Sequence, residues 1–383
     1  MAEVFGHNHV YAPRAHVEAS DWLPNDPLFL DGLTGGQLAI VGDMPVVCSA
    51  GSVTDAAADL LSSAGLRLPQ ATLTFRAGGA LDAIAEALEP ASRLVVQHAF
   101  PERSAFAERC WVPSQLLRDL NNKAKLEALV PASTVPRRRV VGRAEYFAAA
   151  AALPAVIKVV TDQSSAGGSG VLICRAESDL ARAREKFARA DQLVVEELLA
   201  VERSPCLNFA VMPDGAVAYL GHADQDVAPD GKFRGNWVTF GETLPDAFVQ
   251  PARDAITRAA EMGYRGFAGV DIVITPDQRV YVVDLNFRVN ASTPAVLLAP
   301  ALKSRLPSGV GHFRALARPV TARMFADLLM PLVRGGRIIP LSLFDPVAAG
   351  YPAGDAVAQV LIVGGSKAEV LATEEELARA AVG

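Results

Sequence analysis

Residues 269–290 read GVDIVITPDQRVYVVDLNFRVN, two alternating apolar runs on either side of a short polar segment. The Pro-Asp-Gln-Arg segment between the runs is typical of a hairpin loop, so the stretch predicts two antiparallel strands. With that loop, Thr275 pairs with Val280, and the same register places Asp271 directly opposite Asp284. Opposed side chains in such a pair have Cβ atoms about 4.5–5.5 Å apart. The sequence therefore predicts two facing carboxylates in an apolar sheet.

The alternation of the second strand separates polar from apolar side chains. Asn286 and Arg288 fall on the same face as Asp284, because successive side chains of a strand point to opposite faces. The other face, predicted to point into a core, carries Tyr281, Val283, Leu285 and Phe287. A solvated face with coincidental acids is the alternative, and polar groups in register among continuous Val, Ile and Leu argue against it.

Two like charges that face each other in an apolar sheet are destabilising unless something neutralises them. A divalent cation does so, and two carboxylates with an amide oxygen are hard oxygen ligands suited to Mg²⁺. The predicted metal ligands are therefore Asp271, Asp284 and Asn286, and Arg288 adds a fixed positive charge beside them.

Two lysines upstream of the hairpin are candidate phosphate ligands. Lys158 interrupts an apolar strand predicted at 155–160, where a lysine must reach a partner or extend to an edge. Lys123, in LNNKAKL, is the second candidate; Lys125 competes with it, and an exposed helix lysine is the alternative. We expect these side chains to neutralise phosphate charge.

A loop rich in serine and glycine follows the Lys158 strand. Glycines let backbone N–H groups wrap phosphate oxygens, and serines add hydroxyl donors. A plain hairpin turn is the alternative for the loop alone, but next to Lys158 it predicts a nucleotide lid. The candidate residues are Ser164, Ser165, Gly167, Gly168, Ser169 and Gly170.

The segment VVEELLAVE, residues 194–202, ends a predicted strand with several acids. Its backbone at Glu197 and Leu199 is predicted to pair with the edge of adenine. Glu202 is a candidate acceptor for ribose hydroxyls, and the division of roles between Glu196 and Glu202 stays open. A strand end with solvated acids is the alternative.

The order of predicted elements divides the chain into three parts. Residues 1–113 alternate strands and helices after an irregular start, which predicts a small parallel α/β domain. Residues 114–305 carry all the candidates above and include a lid subdomain at about 135–195. Residues 306–383 form a small C-terminal α/β segment. The fold class is therefore mixed, α/β followed by α+β.

Composition excludes several other classes of protein. The chain has 383 residues, of which 51% are hydrophobic and 20% charged, which predicts a globular protein. Its net charge of −6 argues against non-specific binding of nucleic acid. Its four cysteines are widely spaced and predict buried thiols rather than a zinc site or disulfides. No signal-peptide pattern or membrane span is found, which predicts a cytoplasmic protein.

In their order along the chain, these residues resemble the ATP-grasp superfamily. The resemblance covers roughly residues 115–300, and the acid-x-Asn-x-Arg ending from Asp284 to Arg288 is its most specific element. The N-terminal part resembles the pre-ATP-grasp domain. The C-terminal segment, with IIPLSLFDP and VLIVGGS, is similar to the pheganomycin-type peptide ligases. Two departures are Asp284, where the family usually has Glu, and Phe287, where it often has Pro.

The resemblance implies a two-subdomain clamp around ATP and Mg²⁺. A substrate carboxylate would be phosphorylated to an acyl phosphate, and an amine of an amino acid or peptide would displace the phosphate to give an amide. Lys158 and Arg288 would act on the transferring phosphoryl group. A phosphotransferase and a non-catalytic nucleotide-binding subunit are the alternatives, and whether the chain forms a homo-oligomer is left open. A dinucleotide-binding oxidoreductase is disfavoured because no glycine fingerprint is present.

The substrate-binding predictions rest on two further segments. Residues 222–243 are predicted as a long polar loop, a length that is usually functional, with Arg234 selecting or contacting substrate. Asn290, Ser292 and Thr293 precede a short helix predicted at 294–299, and hydroxyls with free N–H groups at a helix start suit a carboxylate. A solvated loop and an ordinary helix cap are the alternatives.

Overall fold

The computed structural model describes residues 1–15, 20–23, 25–148, 153–163, 165, 168–228 and 233–380. Within these ranges the strands form three sheets, one for each of the N-terminal, lid and central regions. The predicted fold class, α/β followed by α+β, is confirmed. No helix in the described ranges is long and apolar enough to cross a membrane.

The N-terminal region is a small parallel α/β layer. Its four strands lie in the order β3-β2-β1-β4, and all neighbouring pairs run parallel. The elements are α1 (Ala2–Phe5), β1 (Val10–Ala12), α2 (Pro27–Gly32), α3 (Leu38–Val41), β2 (Val46–Ser49), α4 (Asp55–Ser63), β3 (Thr72–Phe75), α5 (Ala80–Ala87) and β4 (Leu94–Val96).

One predicted strand of this region is a helix. Residues 38–41 form α3, with Leu38 and Val41 buried on one face of its single turn. A short apolar run is compatible with either structure, and its burial decides which one forms. Strand β1 lies in the stretch expected to be irregular, and it is fully buried between β2 and β4.

A helical connection and an antiparallel lid sheet come next. The lid strands lie in the order β5-β8-β6-β7 and enclose their own apolar core. The elements are α6 (Ser114–Asn121), α7 (Leu126–Leu129), β5 (Arg138–Gly142), α8 (Arg143–Ala148), β6 (Ala155–Val160), β7 (Val171–Cys174), α9 (Glu177–Lys186) and β8 (Gln192–Glu197). The helical connection is divided into α6 and α7 because Asn122 leaves the helical conformation and its side chain accepts from the Ala124 amide.

The central sheet is antiparallel, and its strands lie in the order β13-β12-β9-β10-β11-β14-β16-β15. Its strands are β9 (Pro205–Val211), β10 (Val217–Val227), β11 (Phe233–Thr239), β12 (Gly266–Ile274), β13 (Val280–Asn286), β14 (Val310–Arg318), β15 (Ile338–Phe344) and β16 (Ala356–Gly364). Its helices are α10 (Asp246–Glu261), α11 (Thr293–Arg305), α12 (Ala322–Arg334) and α13 (Lys367–Ala380). The strands of the C-terminal segment thus extend the same sheet that carries the hairpin.

Two predictions in this region are wrong. The long loop expected over 222–243 is mostly sheet, because β10 continues to Val227 and pairs with β11. The short helix expected at 294–299 is α11, which begins at Thr293 and continues through Pro300 to Arg305. In both cases tertiary packing extends an element beyond its local pattern.

Gly269 in β12 is a position where the central sheet has no room for a side chain. A methyl group there would lie 2.0 Å from Asn290 Nδ2 and 3.1 Å from Cys206 Sγ. We predict that Gly269→Ala lowers the free energy of unfolding by about 1–3 kcal/mol, the usual cost of overpacking. Urea denaturation measures it. Gly142→Ala is the matched control, since its nearest neighbour would lie 3.8 Å away, and equal midpoints for the two variants would contradict the prediction.

Candidate active site

The hairpin of β12 and β13 brings the two carboxylates together as predicted. Asp271 pairs with Asp284 in the antiparallel register. The register then shifts by one residue, so that Ile272 pairs with Val282. The predicted pairing of Thr275 with Val280 is therefore wrong, and Ile274 is the partner of Val280.

The register shift is a bulge at Val283, which has no partner opposite it. Beyond the bulge the alternation reverses, so Val282 rather than Val283 joins the core with Leu285. A residue in a bulge is left out of the ladder. The Val283 carbonyl accepts a hydrogen bond from Lys158 Nζ at 2.6 Å. The bulge thus provides the acceptor by which the lid sheet reaches the hairpin.

The two facing carboxylates have different electrostatic environments. Lys123 Nζ lies 2.5 Å from Asp284 Oδ1. Burial alone would raise the pKa of Asp284, but Lys123 and Lys158 outweigh it and hold that pKa below its usual value. Burial, and then the charge of Asp284, raise the pKa of Asp271 to about 6. Asp271 is therefore the carboxylate whose charge the protein compensates less.

The surroundings of Asp271 test whether these residues can hold a cation. Its Oδ1 is buried and has no hydrogen-bond partner among the described residues, while Oδ2 accepts from Asn286 Nδ2 at 3.3 Å. The Asn286 oxygen in turn accepts from Arg288 Nη2 at 2.9 Å. A buried oxygen left without a donor, facing a second carboxylate, suits a hard cation. The two carboxylates fit Mg²⁺, and Asn286 would have to turn its amide oxygen from Arg288 towards them to join as a ligand.

Lys158 extends from the lid sheet into a buried charge cluster. Its Nζ lies 2.6 Å from Glu196 Oε2, and both side chains are buried. Arg138 approaches the same carboxylate, with Nη1 3.4 Å from Glu196 Oε1, and its Nη2 donates to the Lys123 carbonyl. The structure therefore places Glu196 between Lys158 and Arg138, and the division of roles between Glu196 and Glu202 stays open.

The other candidates of the 194–202 segment lie at the end of β8 and just beyond it. Glu197 accepts from the Arg137 side chain at 2.8 Å and from its amide at 2.9 Å. Leu199 is half-buried, and its amide donates to no acceptor among the described residues. Glu202 is exposed and accepts from Gln278 Nε2 at 2.9 Å. An amide without a partner is compatible with the predicted adenine contact.

The lid loop is described in part. Ser164 and Gly167 lie outside the described residues. The Ser165 carbonyl accepts from Arg288 Nη2 at 3.2 Å, and the Ser169 hydroxyl donates to the Trp22 carbonyl. Gly168 has φ +77°, and a side chain at Gly170 would meet Val159, so both glycines are required by the backbone. The loop is thus tied to the hairpin at Arg288 and to the N-terminal region at Trp22.

Arg234 is not brought to this cluster. It lies on β11, its side chain is half exposed, and it pairs with Asp226 of β10 at 2.5 Å. Asp224, another acid of the predicted loop, pairs with Arg203 at 2.7 Å. The Arg234–Asp226 ion pair lies across β10 and β11, and the predicted role of Arg234 towards substrate stays a prediction.

The start of α11 has fewer free donors than the sequence suggested. The Asn290 side-chain oxygen already accepts from the Ser292 and Thr293 amides, at 2.9 and 3.2 Å. The Thr293 hydroxyl donates to Asn208 Oδ1 at 2.9 Å, and the Ser292 hydroxyl donates to Asn290 Oδ1 at 2.6 Å. Only the Asn290 Nδ2 group of this segment is buried without a partner. The alternative of an ordinary cap therefore describes most of the segment.

Several residues of the site were missed by the sequence reading. The Asn121 side chain accepts from the Phe287 amide at 2.9 Å and so joins α6 to the hairpin. Cys206, opposite Asp271 on β9, contributes a side-chain hydrogen bond to Asp271. The four cysteines are buried and free, as predicted. Arg138 was missed as well, since no local pattern distinguishes it from its neighbours Arg137 and Arg139.

Two family models match this chain. Residues 136–286 match the ATP-grasp domain of L-aspartate–L-methionine ligase, and residues 1–118 match the N-terminal domain of the same ligase. Both models thus describe an amide-forming ligase. They name a different ligase from the pheganomycin type, and that finer resemblance stays a prediction.

Solved structures with the same fold span nearly the whole chain. One of them is an ADP complex of PurK, an N5-carboxyaminoimidazole ribonucleotide synthetase. It is 15% identical to this chain with a TM-score of 0.59, and the match covers 91% of this chain and 94% of the PurK chain. The L-amino acid ligase from Bacillus licheniformis is 14% identical with a TM-score of 0.56, covering 97% and 98%. The N5-carboxyaminoimidazole synthase from Aspergillus clavatus, bound to ADP and 5-aminoimidazole ribonucleotide, is 12% identical with a TM-score of 0.57, covering 98% and 99%. At these identities the likeness establishes the fold.

The raised pKa of Asp271 predicts a pH-dependent stability in the absence of metal and nucleotide. The folded state binds this proton more tightly than the unfolded chain, whose value is near 3.8. The resulting stabilisation is fully present below that value and is lost as pH rises through about 6. We therefore expect Asp271→Asn to become more stable relative to wild type as pH rises from 5 to 7.5. Chemical denaturation in EDTA measures the difference, and a difference that is constant with pH would contradict the assignment.

Proposed function

This chain belongs to the ATP-grasp superfamily of carboxylate–amine ligases, and we propose that it joins two amino acids in a magnesium-dependent reaction at the hairpin. The single observation that carries the proposal is the facing pair of Asp271 and Asp284 with Lys123 and Lys158 beside it. This arrangement combines anionic ligands for a cation with two cations for phosphate oxygens. Phosphoryl transfer requires both kinds of group at one place.

Asp271, Asp284 and Asn286 would hold the metal. Bound there, Mg²⁺ would neutralise phosphate charge on ATP. The buried Asp271 oxygen without a donor supports this assignment. One oxygen of Asp284 already pairs with Lys123, so the Asp284 side chain would bind the metal through its other oxygen.

Lys123, Lys158 and the lid loop would bind the phosphates, with Ser165 and Ser169 at the described part of the loop. Glu197 and Leu199 would supply the backbone edge for adenine, and the free Leu199 amide supports this role. Glu202 is exposed enough to accept from ribose hydroxyls once Gln278 moves away. The nucleotide would thus lie between β8 of the lid and the β12–β13 hairpin.

The reaction then needs no covalent bond to the protein. An oxygen of the substrate carboxylate attacks the γ-phosphorus of ATP, the bond to the β-phosphate oxygen breaks, and ADP leaves. The amine nitrogen attacks the acyl carbon, phosphate departs, and the nitrogen loses a proton to solvent. Arg288 is half-buried and donates to Asn286 Oδ1. Its fixed charge would stabilise the transferring phosphoryl group and the tetrahedral intermediate.

For the substrates, we propose aspartate as one amino acid and methionine as the other, because the matched family models describe that ligase. Arg288 and the Asn290 Nδ2 group are the candidate contacts for the carboxylate that is activated. They lie two residues apart on the same side of the hairpin end, and the Asn290 group is buried without a partner. The rest of the 290–293 segment serves as a cap.

The reaction is tested by incubating the protein with ATP, Mg²⁺, aspartate and methionine. We predict ADP and phosphate in equal amounts, together with a product whose mass is the sum of the two amino acids minus water. Release of ADP must depend on both amino acids. A phosphorylated amino acid without amide would favour the phosphotransferase, and binding of ATP without turnover would favour a non-catalytic subunit.

The metal assignment is tested by a charge-neutralising substitution at Asp271. We predict that Asp271→Asn slows ADP formation by at least about 100-fold, since a metal ligand of the phosphoryl transfer is lost. The variant should melt no lower than wild type in EDTA at pH 7.5, because the removed charge is unfavourable there. Asp284→Asn would not share this property, since it leaves Lys123 without its partner. Asp277→Asn, on the exposed loop of the same hairpin, is the control, and normal turnover by the Asp271 variant would refute the metal site.

A further inference from the structure

Three consecutive arginines, Arg137, Arg138 and Arg139, lie at the start of the lid sheet, and only the middle one has a buried side chain. The Arg138 side chain is 1% exposed, against 89% for Arg137. The strand alternation explains the difference, because Arg138 points to the face of β5 opposite to its neighbours. A buried arginine is costly unless its charge is used, so its contacts are informative.

Arg138 contacts the partner of Lys158 and the backbone of Lys123. It lies opposite Glu196 in the pairing of β5 with β8, and its Nη1 is 3.4 Å from Glu196 Oε1. Its Nη2 donates to the backbone carbonyl of Lys123. One side chain therefore links the carboxylate that holds Lys158 to the segment that presents Lys123.

The charge balance of this cluster gives Arg138 a specific role. Glu196 is a single negative charge shared by two cations, since Lys158 Nζ lies 2.6 Å from its other oxygen. With Arg138 the three groups carry a net positive charge, and without it they would be neutral. Removing the partner of a buried charge is strongly unfavourable. While Arg138 faces Glu196, however, Lys158 can turn to another anion without leaving the carboxylate unpaired.

We propose that Arg138 is a positioning residue of the ATP site, one that neutralises Glu196 so that Lys158 can bind a phosphate oxygen. The inference rests on the nucleotide site proposed above. Arg138 acts through Lys158 and through the Lys123 backbone, and it does not itself contact the nucleotide. Its charge is therefore required only as long as Glu196 is ionised.

The test is a double-mutant cycle on binding of a non-hydrolysable ATP analogue with Mg²⁺, measured by titration calorimetry. Arg138→Gln should raise the Kd by about 10-fold or more, because Glu196 then retains Lys158. In the Glu196→Gln background the same substitution should change the Kd by less than about 3-fold. Arg139→Gln, on the exposed neighbour, should leave the Kd unchanged. Arg138→Lys should restore most of the affinity, since it returns the charge.

Each outcome decides a separate question. If Arg138→Gln weakens binding equally in both backgrounds, Arg138 has a merely structural role and the inference is overturned. If Arg138→Gln does not yield folded protein, the comparison of Glu196→Gln with the double variant still applies: a large loss there overturns the inference, and a small one supports it. Lys158→Met separates this inference from the proposed function. Unchanged nucleotide affinity in that variant would refute the ATP site itself, whereas a loss there with normal binding by Arg138→Gln would refute only the role of Arg138.

Discussion

The opposition of Asp271 and Asp284 is the constraint around which the rest of the site is arranged. Among the described residues, only Asp284 of this pair has an ion-pair partner, which is Lys123. The other carboxylate keeps a raised pKa and an oxygen without a donor. This unequal treatment leaves a local deficit of positive charge, and a bound cation is the simplest way to fill it.

The bulge at Val283 decides how the lid sheet reaches that pair. In a regular hairpin every residue of β13 would pair with a residue of β12. At the bulge one residue, Val283, is left unpaired. Its carbonyl accepts from Lys158, which therefore lies directly beside the carboxylates. A bulge leaves the composition of the strand unchanged, so alternation alone could not reveal it. The register predicted from the sequence is therefore correct on one side of the bulge, where Asp271 pairs with Asp284. It is wrong on the other side, where Val280 pairs with Ile274 instead of Thr275.

Local patterns predicted the site where its chemistry lies on one hairpin, and they failed where partners come from distant strands. The facing carboxylates could be found because they lie on adjacent strands of one hairpin, where the alternation places polar side chains on one face. Arg138 could not, since its burial depends on Glu196, which is remote in sequence and adjacent only in the sheet. The polar stretch over 222–243 likewise resembled a loop, because the ion pair of Asp226 with Arg234 that joins two strands has no local signature.

Closure of the lid and the charge balance of the site are carried by the same contacts. The lid region meets the rest of the site through Lys158 and the Val283 carbonyl, Arg288 and the Ser165 carbonyl, and Arg138 and the Lys123 carbonyl. In each contact a cation donates to a neutral backbone oxygen, which is a weaker acceptor than a charged one. A polyphosphate arriving between these groups offers better acceptors to the same cations. Nucleotide binding would therefore replace the lid's resting contacts with stronger ones, and the energy of closure would come from the ligand.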